Sequence, residues 1–148
     1  MKRNEIEIIQ EKLAALQPYS KELKLLQGVT LEEYCKNNLY RRTTERLIQL
    51  IIEAATVINN MIVKGLGKEV PSDYYSSFFK MAEVNVFPVS FALEITPSAG
   101  LRNIIVHEYQ KIDDVIVHGS MRKVLDYYLQ YMNYVNDFLE NKMTDGNR

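Results

Sequence analysis

The sequence predicts an all-α protein, an antiparallel helical bundle of about five to six helices in a single domain over residues 1–148. Three observations lead there. Apolar residues recur at three- and four-residue steps through most of the chain. No segment sustains the two-residue alternation of a half-buried strand. Gly, Pro and cap-forming residues fall where short connections would lie, and helices joined by short loops pack as antiparallel neighbours.

In chain order, Ile6, Ile9, Leu13, Leu16, Leu23 and Leu26 mark a first helical segment from Asn4 to Gln27. Pro18 interrupts it and predicts a kink or break near Gln17, because proline lacks the N–H that a helix interior uses. Gly28 ends the segment, and Thr30 followed by Glu33 has the capping-box pattern of a new start. From Leu31 to Val63, Leu47, Leu50, Ile51, Ala54, Ala55, Ile58 and Ile62 form a broad apolar stripe, which fits one short helix and then one long one. The stretch 65-GLGKEVPSD-73 is a loop. Its GLGK lacks the spacing and the Ser or Thr of a Walker phosphate loop and is only a turn.

Ser72 is the expected N-cap of a helix from Asp73 to Val84. A further helix starts near Pro88 and runs to about Tyr109, with Pro97 tolerated or marking a break. The last runs from about Asp114 to Asn141 through Val124, Leu125, Tyr128, Leu129, Met132, Val135 and Leu139, and the tail should fray from about residue 143.

Composition narrows the function classes. With 47% hydrophobic and 25% charged residues the chain is neither disordered nor fibrous. Eighteen basic residues face 19 acidic ones, so no global field draws nucleic acid or membrane. The lone Cys35 forms no internal disulfide, which suits a reducing cytosol. The N-terminus has no signal-peptide h-region, and no uninterrupted apolar run approaches the roughly 20 residues of a membrane span. A cytoplasmic protein without a membrane partner is expected. No His, Cys or carboxylate cluster has metal-ligand spacing, so neither metal nor cofactor is expected.

Three features invite a functional reading and have a plainer one. The Tyr127, Tyr131 and Tyr134 stripe could stack bases, but helical aromatic stripes more often pack on a neighbour with their phenols reaching water. Arg41 and Arg42, with Arg46 a turn later, form a compact cationic cluster. It is a weak candidate for phosphate contact and, beside Glu45, a stronger one for an ion-paired face. His118 stands without a ligand-spaced partner and reads as a surface residue.

The stretch 101-LRNIIVHEYQ-110 carries most of the chemistry. On a regular helix Leu101, Ile104 and Ile105 share one side, while Arg102, Asn103 and His107 point elsewhere. Asn103 and His107 form an i, i+4 pair in which the amide could hold the imidazole. A His with an ordinary pKa of about 6.5 can move a proton at neutral pH. An always-charged Arg fork can clamp a phosphate and stabilise charge growing on it. Together they suffice to drive an RNA 2′-hydroxyl onto its neighbouring phosphate and leave a 2′,3′-cyclic phosphate, while DNA is spared. Chance supplies roughly 0.1 Arg-x4-His pairs in such a chain and about 0.006 with the Tyr two residues on. Spacing alone still leaves open a polar helix face that merely caps the bundle.

RNIIVHEY resembles the Arg-x4-His-x-Tyr signature of HepT-type toxins, in the HEPN superfamily of small helical ribonucleases. The likeness extends through ERLIQLIIEAA, PSDYYSSFFKMAE and KIDD to nearly the whole chain. The resemblance implies a HEPN-like bundle and a metal-independent endoribonuclease, acting as a homodimer with two motif helices meeting in a shared cleft. It makes Arg102 and His107 the catalytic pair and Asn103 a supporting residue. It also implies a type VII-like toxin–antitoxin system, in which an MntA-type minimal nucleotidyltransferase attaches AMP to Tyr109. The alternative from another class is a non-catalytic helical module that docks a nucleotidyltransferase or a nucleotide.

Overall fold

A computed structural model describes residues 1–107 and 111–146. Every regular element among the described residues is a helix, as expected. In order they are α1 (Arg3–Ala14), α2 (Leu16–Gln27), α3 (Leu31–Lys36), α4 (Asn38–Gly65), α5 (Tyr74–Glu83), α6 (Val89–Ile95), α7 (Pro97–Val106) and α8 (Asp114–Gly146). Backbone at Ala15 and Thr96 stays in the right-handed helical region, so α1–α2 and α6–α7 are bent rods. Counted that way, the described chain has six rods.

The first bend lies at Ala15 rather than near Gln17. Pro18 cannot donate to the carbonyl four residues back, at Ala14, and its ring crowds that carbonyl. The ladder therefore yields on the N-terminal side of the proline. Pro97 acts differently: as the first residue of α7 it needs no intrahelical donor.

Side chains start and stop the remaining helices. Thr30 Oγ1 accepts from the Glu33 N–H at 3.2 Å and Glu33 Oε2 accepts from the Thr30 N–H at 3.3 Å, closing the expected capping box of α3. Asn37 Oδ1 accepts from Leu39 and Tyr40 to start α4. For α5 the cap is Asp73, not Ser72: its Oδ1 accepts from the Ser76 N–H at 2.8 Å. A carboxylate there also complements the positive end of the helix, which a serine cannot do. Asp113 Oδ1 accepts from Val115 and Ile116 at the head of α8. Gly67 (φ 77°) ends α4 and Asn85 (φ 65°) ends α5, each left-handed and followed by a bond back to Val63 or Met81. The last helix, expected to end at about Asn141, extends to Gly146.

The α4 helix is the axis of the bundle and packs against α1, α2, α3, α5, α7 and α8. It is long and apolar enough to cross a membrane, yet its apolar stripe from Leu47 to Val63 is the core. Tyr128 and Tyr131 of α8 are wholly buried against Phe78. The packing role of the tyrosine stripe holds, but Tyr131 does not reach water. Its hydroxyl bonds Asn59 Oδ1 at 2.5 Å and the Ala55 carbonyl at 3.0 Å. Burial pushes both phenols well above the ordinary tyrosine range, so they stay neutral donors. His118 is also not a plain surface residue: Nε2 lies 2.7 Å from the Val29 carbonyl and its ring packs on Tyr34.

Candidate active site around Arg102

The α7 helix is pinned from two sides. Ala99, Leu101 and Ile105 are buried in the core. Ser98 Oγ lies 2.7 Å from the Tyr128 hydroxyl, tying the start of α7 to α8. Ile104, expected on the packing side, is instead 44% exposed and lines an open cleft beside α7.

Arg102 leaves α7 toward the junction with α4 and α5, its side chain only 19% exposed. There Nε and Nη2 both donate to Glu53 Oε1, at 3.1 and 2.9 Å. Gln49 Nε2, one turn earlier on α4, donates to the same oxygen at 3.2 Å. The guanidinium carbon lies 4.5 Å from the centroid of the Tyr74 ring, so a cation–π contact covers one face. Tyr74 is itself tied to the core: its carbonyl accepts from Ser77 Oγ, which accepts from Asn59, which accepts from Tyr131. A buried polar relay thus stands behind the ring beneath Arg102.

Asn103 Oδ1 lies 3.5 Å from Arg102 Nη1, at the outer limit of a hydrogen bond. With His107 the bond is a backbone one, His107 N–H to the Asn103 carbonyl at 3.2 Å. The helix was expected to run to about Tyr109, but regular geometry ends at Val106, and His107 caps it with ψ 83°. Arg102 thus lies within α7, and His107 is the residue that closes it. His107 is exposed. Tyr109 lies outside the described residues.

Beside this junction, α5, α7 and α8 enclose an open cleft of about 560 Å³. Its largely apolar walls include Tyr75, Leu101, Asn103, Ile104, Ile116 and Tyr127. Asn103 stands between the cleft and the guanidinium.

Arg41 and Arg42 lie elsewhere. Arg41 Nη1 donates to the Cys35 carbonyl at 3.0 Å and to Asp114 Oδ2 at 3.3 Å, and Nη2 bonds Asn38 Oδ1. It staples α3, α4 and the head of α8, whereas Arg42 is exposed. Burial raises the neighbouring Glu45 carboxyl above its ordinary range, Asp114 adds to this, and Arg41 and Arg42 partly offset it. Among the described residues no group of three or more His, Cys, Asp or Glu could hold a metal ion.

Sequence reasoning missed Glu53 and Tyr74. Glu53 breaks the apolar run of α4 one residue after Ile52, a signal visible in the string. That it meets Arg102, 49 residues away, needed the fold.

The family described as ribonuclease HepT-like matches residues 6–135. The tRNA nuclease HepT of Aphanizomenon flos-aquae is 32% identical over 132 residues, covering 89% of this chain and 90% of the relative. Among solved structures, the tri-AMPylated HEPN toxin of Shewanella oneidensis, in complex with its MNT antitoxin, superposes with a TM-score of 0.79 at 23% identity, covering 93% of this chain and 99% of that one. A cytosolic protein of unknown function, YutE from Bacillus subtilis, superposes at 0.77 with 15% identity, covering 92% and 91%.

Proposed function

This chain belongs to the ribonuclease HepT-like family, and on that premise we propose that it is the toxin of a two-gene toxin–antitoxin system, a metal-independent endoribonuclease. His107 takes the proton of an RNA 2′-hydroxyl, whose oxygen attacks the adjacent phosphorus. The bond to the 5′-oxygen breaks, that oxygen is protonated, and a 2′,3′-cyclic phosphate remains. Arg102 holds the phosphate and the charge that grows on it, and Asn103 supports it. The observation that carries this reading is the half-buried guanidinium of Arg102, fixed by Glu53 and Tyr74 inside the stretch that bears His107.

A two-fold pair of chains would set each His107 beside a second copy's motif, and the exposed Ile104 and Ile116 of the adjoining cleft offer an apolar face for it. The partner is a minimal nucleotidyltransferase that places AMP on Tyr109. Phosphate at that position would compete for the Arg102 cation and repel RNA. Because a 32% identical relative is named a tRNA nuclease, tRNA is the RNA class to try first. Exposed Arg42 is a secondary candidate for backbone contact, whereas Arg41 would have to leave its ion pair.

The decisive experiment incubates purified protein with tRNA in EDTA. Wild type should cut and His107→Ala should not; cutting that persists would remove His107 from the role. Intact-mass measurement with the nucleotidyltransferase and ATP should show added adenylates, absent in Tyr109→Phe.

A second reading draws on the pairing of Arg102 with Glu53, which offsets its charge, and on the near-zero net charge of the chain. It is a non-catalytic module docking the nucleotidyltransferase or a nucleotide. Growth separates the two: expression of wild type alone should arrest cells, and Arg102→Ala should not.

A further inference from the structure

We infer that Glu53 is a positioning residue of the nuclease site, fixing which edge of the Arg102 guanidinium is presented to the scissile phosphate. The inference rests on the nuclease reading of Arg102.

A guanidinium has five N–H donors in one plane. Glu53 Oε1 takes the Nε–H and one Nη2 N–H, along the side edge of the fork. The remaining donors are both N–H groups of Nη1 and one of Nη2, and two of these lie parallel along the end edge. That pair matches two phosphate oxygens. The contact of Nη1 with Asn103 Oδ1 is 3.5 Å long and weak enough for an anion to displace. Tyr74 covers one face of the plane, so rotation out of it is also opposed.

Glu53 is in turn held. Gln49 Nε2 donates to the same Oε1, and the carboxylate sits mid-way along α4, the most heavily packed helix of the bundle. An unrestrained arginine samples many rotamers, and ordering it at the moment of reaction costs conformational entropy. Here that cost is met on folding. A carboxylate that only neutralised the cation would not need one oxygen to receive both donors of a single guanidinium edge while a third, from Gln49, holds that oxygen in place.

The role predicts a loss in turnover rather than in binding, because a mobile guanidinium still attracts phosphate but seldom lines up with it. With tRNA as substrate, Glu53→Gln should lower kcat at least about tenfold and leave KM within about threefold. Glu53→Ala should be worse. In an Arg102→Lys background Glu53→Gln should cost nothing more, since there is no fork left to orient. In 15N-labelled protein the Arg102 Nε–H resonance, assigned by its loss in Arg102→Lys, should be protected in wild type and exchange-broadened in Glu53→Gln.

An unchanged or increased kcat in Glu53→Gln would overturn the inference, and an increase would make the carboxylate a competitor of the phosphate. An Nε–H signal that stays protected in Glu53→Gln would overturn the clamp itself. A wild type that leaves tRNA intact would instead overturn the nuclease reading, and the resonance would still report separately whether Glu53 holds the guanidinium.

Discussion

Arg102 and Arg41 are alike by the usual measures. Their side chains are 19% and 31% exposed, each faces a carboxylate, and each couples α4 to another helix. They differ in what remains after the pairing. Arg41 donates to the carbonyl of Cys35, to Asp114 and to Asn38, all of them parts of the α3–α4–α8 corner. Arg102 concentrates two donors on one oxygen of Glu53 and leaves its end edge facing only a long contact to Asn103. Burial and ion pairing do not separate the two; the directions of the uncommitted N–H groups do, and on the proposed nuclease reading they are what suits Arg102 to a phosphate.

Activity gives the widest separation. Arg102→Ala should lower RNA cleavage by at least about 100-fold, whereas Arg41→Ala, assayed per folded molecule, should stay within about threefold of wild type. Equal losses in a chelated tRNA assay would dissolve the distinction. Stability should then invert the order. Arg41→Ala leaves Asp114 half-buried beside Glu45 without its cation, and should cost about 2–3 kcal/mol in urea unfolding.

A smaller effect tests the support behind Tyr74. Tyr131→Phe strips the shared hydroxyl from Asn59 and the Ala55 carbonyl and should cost about 1–2 kcal/mol. If the relay matters to the Arg102 corner alone, the same change should slow cleavage and leave the Arg41 corner intact by hydrogen exchange. The smallest effect belongs to Glu45. Its carboxyl is raised in the folded state, by burial first and Asp114 second. Its contribution therefore favours folding below the ordinary glutamate range and is lost as pH rises through the folded value. Glu45→Gln should melt higher than wild type at pH 7, with the gain fading as pH falls through the raised folded value and gone below about 4.3. A gain of equal size at both pH values would rule out titration as its origin.

Much of the fold was readable in the string, because periodicity and caps are local. The Thr30/Glu33 box, the short-then-long division of residues 31–63 and the start of α8 at Asp114 all depend on neighbours within a turn. The shift of a cap from Ser72 to Asp73, and of a bend from Gln17 to Ala15, show the ordinary resolution of local rules. What stayed hidden is long-range. The spacing of Arg102, Asn103 and His107 marked the candidate stretch, but the residues that orient it come from α4 and α5. Tyr131 packs as expected, but its phenol does not reach water, because a helical stripe does not reveal how deeply its partner helices cover it.

Gly100 sits one turn before Ile104 on the cleft wall, and a Cβ built there would come within 2.8 Å of the Tyr75 hydroxyl. Alanine usually favours a helix over glycine by up to about 1 kcal/mol, so by backbone preference alone Gly100→Ala should toughen α7. The added methyl would nonetheless evict the half-exposed phenol from its seat. Heat resistance and cleft shape are thus set against one another at a single hydrogen atom, and a screen for sturdier variants would be drawn toward a substitution that remodels the doorway beside Asn103.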